Sequence, residues 1–303
     1  MKNKDWFSVI LLGFFWGSSF FFVEILLNYL SPFIIVYLRV AIASTLLIFF
    51  ILLQGIKFNL SKNQLFNLFI MGLLNNVFPF LLITFGQQST TGGLASILNA
   101  NTSFITILLA SFFLTQEKLN FHRVLGVLIG VAGVVIAVDY STIFKSDNDN
   151  LGKYLILCAT LSYSFAGIWG KLKLQKIPPL ISATGMLTMS TIILSPYALT
   201  FHIDELQSLN FFILKYVISF TLLCTVFAYF LYFKILQSTG AGNLLICTII
   251  IPPSAILLNA IILGENINLT ELFGLTIIIF GLIILDGRLI KKFKINKFKS
   301  FEL

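Results

Sequence analysis

Ten stretches of this chain are each apolar enough for a lipid bilayer, and only short polar segments join them. The runs are Trp6–Leu27, Phe33–Leu53, Leu65–Phe85, Gly92–Leu114, Val124–Val138, Leu151–Gly170, Leu180–Thr200, Phe211–Phe233, Ala241–Leu263 and Leu272–Leu285. About 20 apolar residues in helical form span a hydrocarbon core. The fifth and tenth runs are shorter and need an extra turn to reach across. Lipid offers no partner to a free N–H or C=O group, so open-ended spans must be helices. The expectation is an all-α polytopic membrane protein with ten transmembrane helices. Charged residues are only 11% of the sequence, against about 25% in soluble proteins, which leaves no room for a separate soluble domain.

Positive charge orients these spans. With the N-terminus in the cytoplasm, sixteen of the 20 Lys and Arg fall in inside loops or the tail; Lys145, Lys153 and Lys215 fall outside, and Arg39 lies within a span. Both termini are therefore expected in the cytoplasm. The net charge of +8 belongs to this topology and does not point to nucleic acid. From Arg288 the tail interleaves Lys with Phe, which suits contact with anionic membrane lipid. The first run has no small-residue cleavage site and reads as a retained span. Cys158, Cys224 and Cys247 sit inside apolar runs without metal-ligand or disulfide spacing, so no metal or cofactor is expected.

The chain is also written twice. Gln88-Ser89-Thr90, Gly93, Glu117, Asn120, Gly126 and Gly133 return as Gln237-Ser238-Thr239, Gly242, Glu265, Asn268, Gly274 and Gly281, at offsets of 148 to 149 residues. A period near half the chain means duplication of one large unit. Ten spans in two copies are five per copy. Five is odd, so the second copy enters the membrane from the opposite side, as an inverted repeat. The expected units are residues 1–139 and 151–287, joined by the polar Asp139–Asn150 segment and followed by the basic tail 288–303. Glu117 and Glu265 each precede a span after a short turn and read as loop or helix N-terminal acids.

Polar residues inside spans are expensive, so their placement is informative. Residues three, four and seven apart share a helix face. Span 1 aligns Gly13, Gly17, Phe20 and Glu24, and span 6 aligns Thr160, Ser164, Gly167 and Lys171. Span 3 gathers Gly72, Asn75, Asn76 and Pro79, while span 8 gathers Thr221, Cys224, Thr225 and Ala228 with Tyr229 and Tyr232. Span 4 carries Ser96, Asn99, Thr102, Ser103 and Thr106, answered in span 9 by Asn243, Cys247 and Ser254. Each stripe has a plain reading as helix–helix hydrogen bonding. The sharper reading is a central substrate cavity ringed by Asn75, Asn76, Asn99, Thr106, Thr225, Tyr229 and Ser254, with Thr102, Ser103, Tyr232 and Cys247 beside them and Glu24 as its acid. Trp16 and Tyr163 could stack on a substrate or on each other's neighbours. Pro79, and Pro252-Pro253 in span 9, free backbone carbonyls and suggest interrupted helices near the midplane. Spans 5 and 10 have almost no polar face and read as scaffold or as a homodimer contact. Glu24 and Arg39 flank the tight Asn28–Pro32 turn. They can pair, sit separately at the interface with Arg39 snorkelling, or leave Glu24 to bind a substrate amine or a coupling proton.

These motifs resemble a known family. Trp16-Gly17-Ser18-Ser19-Phe20 looks like its first-span signature, and Arg39 with Ala41 and Ala43 like its second. Glu117/Gly126/Gly133 and Glu265/Gly274/Gly281 look like the ends of its repeats. Together they resemble the EamA family of the drug/metabolite transporter superfamily, across essentially the whole chain. The resemblance implies a bacterial inner-membrane carrier of small metabolites, often amino acids or their derivatives, and commonly an exporter.

The residues themselves favour the same class. No nucleotide-binding Gly-rich loop is present, which argues against ATP-driven transport. An intramembrane enzyme needs a nucleophile–base pair or clustered ligands, yet His122 and His202 fall at opposite membrane faces, so no catalytic residue is proposed. A channel would show charge rings or a carbonyl filter. The neutral, hydrogen-bonding lining with one acid suits a zwitterionic or amphipathic solute.

Overall fold

The computed structural model describes residues 3–114, 119–138, 148–239 and 241–287. Glu117, most of the segment between the repeats, the tail 288–303 and the side chain of Asn243 lie outside the described residues. Among the described residues nine helices are long and apolar enough to cross a membrane: α1 Lys4–Leu26, α2 Pro32–Leu53, α3 Lys62–Gly86, α4 Gly92–Phe113, α6 Asn150–Leu174, α7 Pro179–Phe201, α8 Phe211–Ser238, α9 Ile246–Leu263 and α10 Leu269–Asp286. The tenth, α5 Phe121–Ala137, is shorter and about 26 Å long at 1.5 Å per residue. No strand occurs among the described residues. The expected all-α, ten-helix architecture is what the chain adopts.

Local chemistry sets where the helices begin. Ser31 and Thr91 accept the free amides of Ile34 and Leu94 at the starts of α2 and α4. Ser61 opens α3 with a full capping box to Gln64, and Asn210 caps the matching α8 by accepting from Ile213. Such caps satisfy donors that a helix start leaves unpaired. Large apolar side chains cover the outside, including Phe112 at 81%, Phe211 at 86% and Leu269 at 81% exposure. In water that would be a liability; toward lipid it is the expected surface.

The two repeats interlock rather than sit side by side. α1 packs on α9 while α6, its counterpart, packs on α4; α3 packs on α6 and α7, and α8 on α1 and α2. α5 and α10 form the closest pair. A Cβ on Gly133 would lie 2.8 Å from the Gly274 carbonyl, and one on Gly281 2.9 Å from the Gly126 carbonyl. The doubled Gly-x6-Gly pattern is thus a contact between repeats, with the glycine faces of α5 and α10 turned toward each other. Gly13 and Gly17 make the same kind of contact from α1 to α9: a Cβ on Gly17 would sit 2.6 Å from the Ile251 carbonyl. Small residues let helix backbones approach closely where apolar burial cannot drive association.

One expectation about helix interruption is corrected. α9 runs as α-helix straight through Pro252-Pro253. The α1 glycine face presses on that turn at Ile250 and Ile251, so the prolines are held in packed helix rather than opened. The break of this helix pair lies in α4 at Ala100, which carries no proline.

Candidate functional site

Among the described residues four helices contain a π-helical turn, and two of these turns are copies of each other. In α3 the turn is Leu73–Val77, and in α8 it is Leu222–Phe227. Leu73-Leu74 and Val77-Phe78 match Leu222-Leu223 and Val226-Phe227 at an offset of 149. The polar residues between them are Asn75-Asn76 in one turn and Cys224-Thr225 in the other. Pro79 follows the first turn and accounts locally for a widened helix. Ala228 holds the same place after the second turn, which widens without it. The architecture itself therefore calls for the wide turn. π-turns are frequent at functional sites.

Arg39 of α2 reaches the α8 turn. Its Nε donates to Thr225 Oγ1 at 2.9 Å and its Nη2 to the Cys224 carbonyl at 3.4 Å. Its guanidinium carbon lies 3.9 Å from the Phe80 ring centroid and 4.6 Å from that of Phe220. Only 9% of the residue is exposed. Tyr163 stands edge-on to Phe80 at 6.5 Å, and Tyr163 and Tyr229 pack against the apolar cluster that holds Phe80. Asn75 donates to Asn76 Oδ1 at 3.3 Å. Asn76 is wholly buried and donates to Ser190 Oγ at 3.1 Å. Helices α2 and α3 of one repeat and α6 and α8 of the other thus meet around one guanidinium.

Five of the residues singled out in the sequence belong to this seam: Asn75, Asn76, Tyr163, Thr225 and Tyr229. The others lie around it in three groups. Thr102 and Thr106 join α4 to α6: Thr106 Oγ1 donates to Ser164 Oγ at 3.0 Å, and Ser164 Oγ to the Thr102 carbonyl at 3.2 Å. On that helix the buried Asn99 Oδ1 has no partner, and Ser103 lines a cavity of about 110 Å³ with Ile246, Thr248 and Asp286. Trp16 and Tyr232 face each other at 6.1 Å between α1 and α8; Cys247 packs below them and donates to the Val9 carbonyl at 3.5 Å, and Ser254 lies against Gly17.

Glu24 forms the last group, apart from Arg39. Gln87 Nε2 donates to its Oε2 at 3.3 Å, a few residues before the start of α4. No ion pair joins Glu24 to Arg39 among the described residues; a full turn of connecting chain separates helices that point these side chains to different neighbours. Arg39 does not snorkel either, since it points inward. Glu265 was expected at a helix N-terminus, and it is found at one in the other repeat: it accepts from the Gly93 amide at 3.3 Å. Arg39 was absent from the expected site. Its signal was available, as the one Arg inside an apolar run, set deeper from the run's start than Lys153 or Lys215 is in its own.

A profile of the EamA-like transporter family matches residues 6–138 and again 150–285. The chain belongs to the EamA-like transporter family. An "Uncharacterized transporter" of Archaeoglobus fulgidus is 25% identical over 93% of this chain and 98% of its own. A "Probable amino-acid metabolite efflux pump" of Salmonella typhimurium is 24% identical over 94% of this chain and 95% of its own. A solved structure titled only "Crystal structure of protein" shares the fold, with a TM-score of 0.67, 14% identity, and coverage of 94% of this chain and 96% of that one. This EamA-like protein is a multi-pass membrane protein, and its family and relatives indicate transport rather than catalysis.

Proposed function

We propose that this EamA-like protein is a secondary transporter that moves small amino-acid-like or amphipathic metabolites across the bacterial inner membrane by alternating access, in the export direction. The observation that carries the reading is the pair of matching π-turns in α3 and α8, set on either side of a buried arginine where the two inverted repeats meet. Inverted repeats characteristically hold substrate at such a seam and rock about it. A widened turn lets a helix exchange backbone partners without unfolding, which suits a hinge. Asn75, Tyr163, Thr225 and Tyr229 are read as substrate-facing, each repeat (1–139 and 151–287) as one moving half, and both termini as cytoplasmic. The name of the Salmonella relative supports the solute class and the direction.

Counterflow tests the mechanism. Proteoliposomes preloaded with a mixture of the twenty common L-amino acids are diluted into the same mixture carrying a trace of label. Preloading is expected to accelerate label entry severalfold for at least one member. Entry that is indifferent to preloading, or no entry at all, overturns the carrier reading.

A further inference from the structure

Among the described residues, Arg39 is a buried cation with no anion beside it. Its two hydrogen-bond partners, Thr225 Oγ1 and the Cys224 carbonyl, are both neutral. Its two ring contacts, Phe80 and Phe220, are neutral as well. Three acids from its end of the bundle bond elsewhere: Glu24 with Gln87, Glu205 with Ser31 and His202, and Glu265 with Gly93. No ion pair to Arg39 occurs among the described residues. Charges inside membrane helices are otherwise paired or put to functional use.

The guanidinium is also held in a fixed pose. A guanidinium has five N–H donors in a rigid fork. Nε and one Nη2 hydrogen tie it to the α8 π-turn, and Phe80 and Phe220 approach it to 3.9 and 4.6 Å. Three donors are left over, beside a cluster in which Phe80 packs with the neutral Tyr163 and Tyr229. Remaining donors of a fixed fork match two oxygens of a planar anion. One positive charge balances one negative charge. A phosphate monoester or a dicarboxylate would bring a second negative charge into a seam with nothing to meet it.

We infer that Arg39 is the recognition point for the single carboxylate of a small solute, whose body lies among Phe80, Tyr163, Phe220 and Tyr229. This rests on the transporter reading above and names the chemical group that reading leaves open. The solute supplies the counter-ion that the chain lacks, so the seam is electrically complete only when loaded.

The test is the unfolding midpoint of the purified full-length protein in detergent, with two matched probe sets: the twenty common L-amino acids, and their α-amides, which lack the carboxylate. At millimolar concentration at least one acid is expected to raise the midpoint, with its amide at least ten-fold less potent. Arg39→Met is expected to abolish the response to acids while leaving the midpoint without solute equal or higher, since it removes an unpaired charge. A purely structural arginine would instead lower that midpoint. Should Arg39→Met not accumulate, Arg39→Lys keeps the charge without the fork and is expected to weaken the response about ten-fold while keeping acids ahead of amides. Amides as potent as acids, no response to any acid, or an undiminished response in Arg39→Met would each overturn the inference. Counterflow that persists for uncharged or cationic solutes would sink the carboxylate assignment and leave the transporter reading standing. Absence of counterflow with carboxylate binding intact would do the reverse.

Discussion

The α2–α8 contact and the α7–α3 contact are the same junction built twice, and they differ in charge. In the first, Arg39 donates to Thr225 and to the Cys224 carbonyl. In the second, Met186 accepts a long contact of 3.7 Å from Asn75 through its sulfur. Arg39 and Met186 are each the seventh residue after the proline that begins their helix, Pro32 and Pro179. The π-turns they touch are equivalent. The two repeats supply a symmetric frame, and Arg39 against Met186 places a single charge on one side of its axis. The mirror junction closes on itself instead, as Asn76 donates to Ser190 and Ser190 to the Met186 carbonyl at 2.7 Å. One half of the seam is thus charged and open to a partner, and the other is neutral and satisfied.

Making the halves alike should have the largest effect. Met186→Arg puts a second guanidinium into the seam, and a charge at the centre of a span costs about 2.5–3.5 kcal/mol on insertion scales. Little folded protein is expected by size-exclusion chromatography. Moving the charge with Arg39→Met/Met186→Arg should recover most of the folded fraction, because the frame is symmetric. If the double variant is no better than Met186→Arg alone, the two junctions are not equivalent.

A smaller effect separates what each junction does. Asn76→Leu removes the bond to Ser190 from the closed half, and a lost buried hydrogen bond costs about 1–3 kcal/mol. Its melting temperature should fall while the response to carboxylates is kept. Thr225→Val removes the Nε acceptor from the open half; stability should fall by a similar amount, and the response to carboxylates should weaken as well. Equal loss of that response in both variants would erase the distinction between the halves.

How much of this was legible in the sequence differs by level. The ten helices follow the apolar runs, and the paired glycines of α5 and α10 were visible as a doubled spacing whose partner was themselves. The π-turns were half visible. Pro79 hinted at one, but its copy follows with Ala228, and Pro252-Pro253 pointed to a break that packing against Gly13 and Gly17 prevents. Arg39 was legible as a residue and not as a site. Its distance from the span end suggested an interfacial position beside Glu24, whereas its direction depends on where Thr225 arrives from 186 residues further along the chain. Contacts between interlocked repeats are set by the packing of whole helices, and no local pattern encodes them.

The smallest expected effect concerns the two acids at the start of α4, again one from each repeat. Glu24 is held from within α1 by Gln87, just before α4 begins, and Glu265 reaches the Gly93 amide from the loop before α10. A carboxylate at a helix N-terminus contributes about 0.3–1 kcal/mol. Two of them share this one, and their like charges act on each other, so the second adds less than the first. Glu24→Gln keeps an acceptor for Gln87 and removes one charge from the pair. The melting temperature is expected to change by no more than a few degrees, and the double variant with Glu265→Gln to lose more than the two single changes combined. Glu24 faces Gln87 and α4 rather than the arginine seam, so pH-driven accumulation in proteoliposomes is expected to survive Glu24→Gln. Its disappearance at unchanged stability would show that Glu24 carries the coupling proton, and that the likeness between the two acids ends at their shared helix.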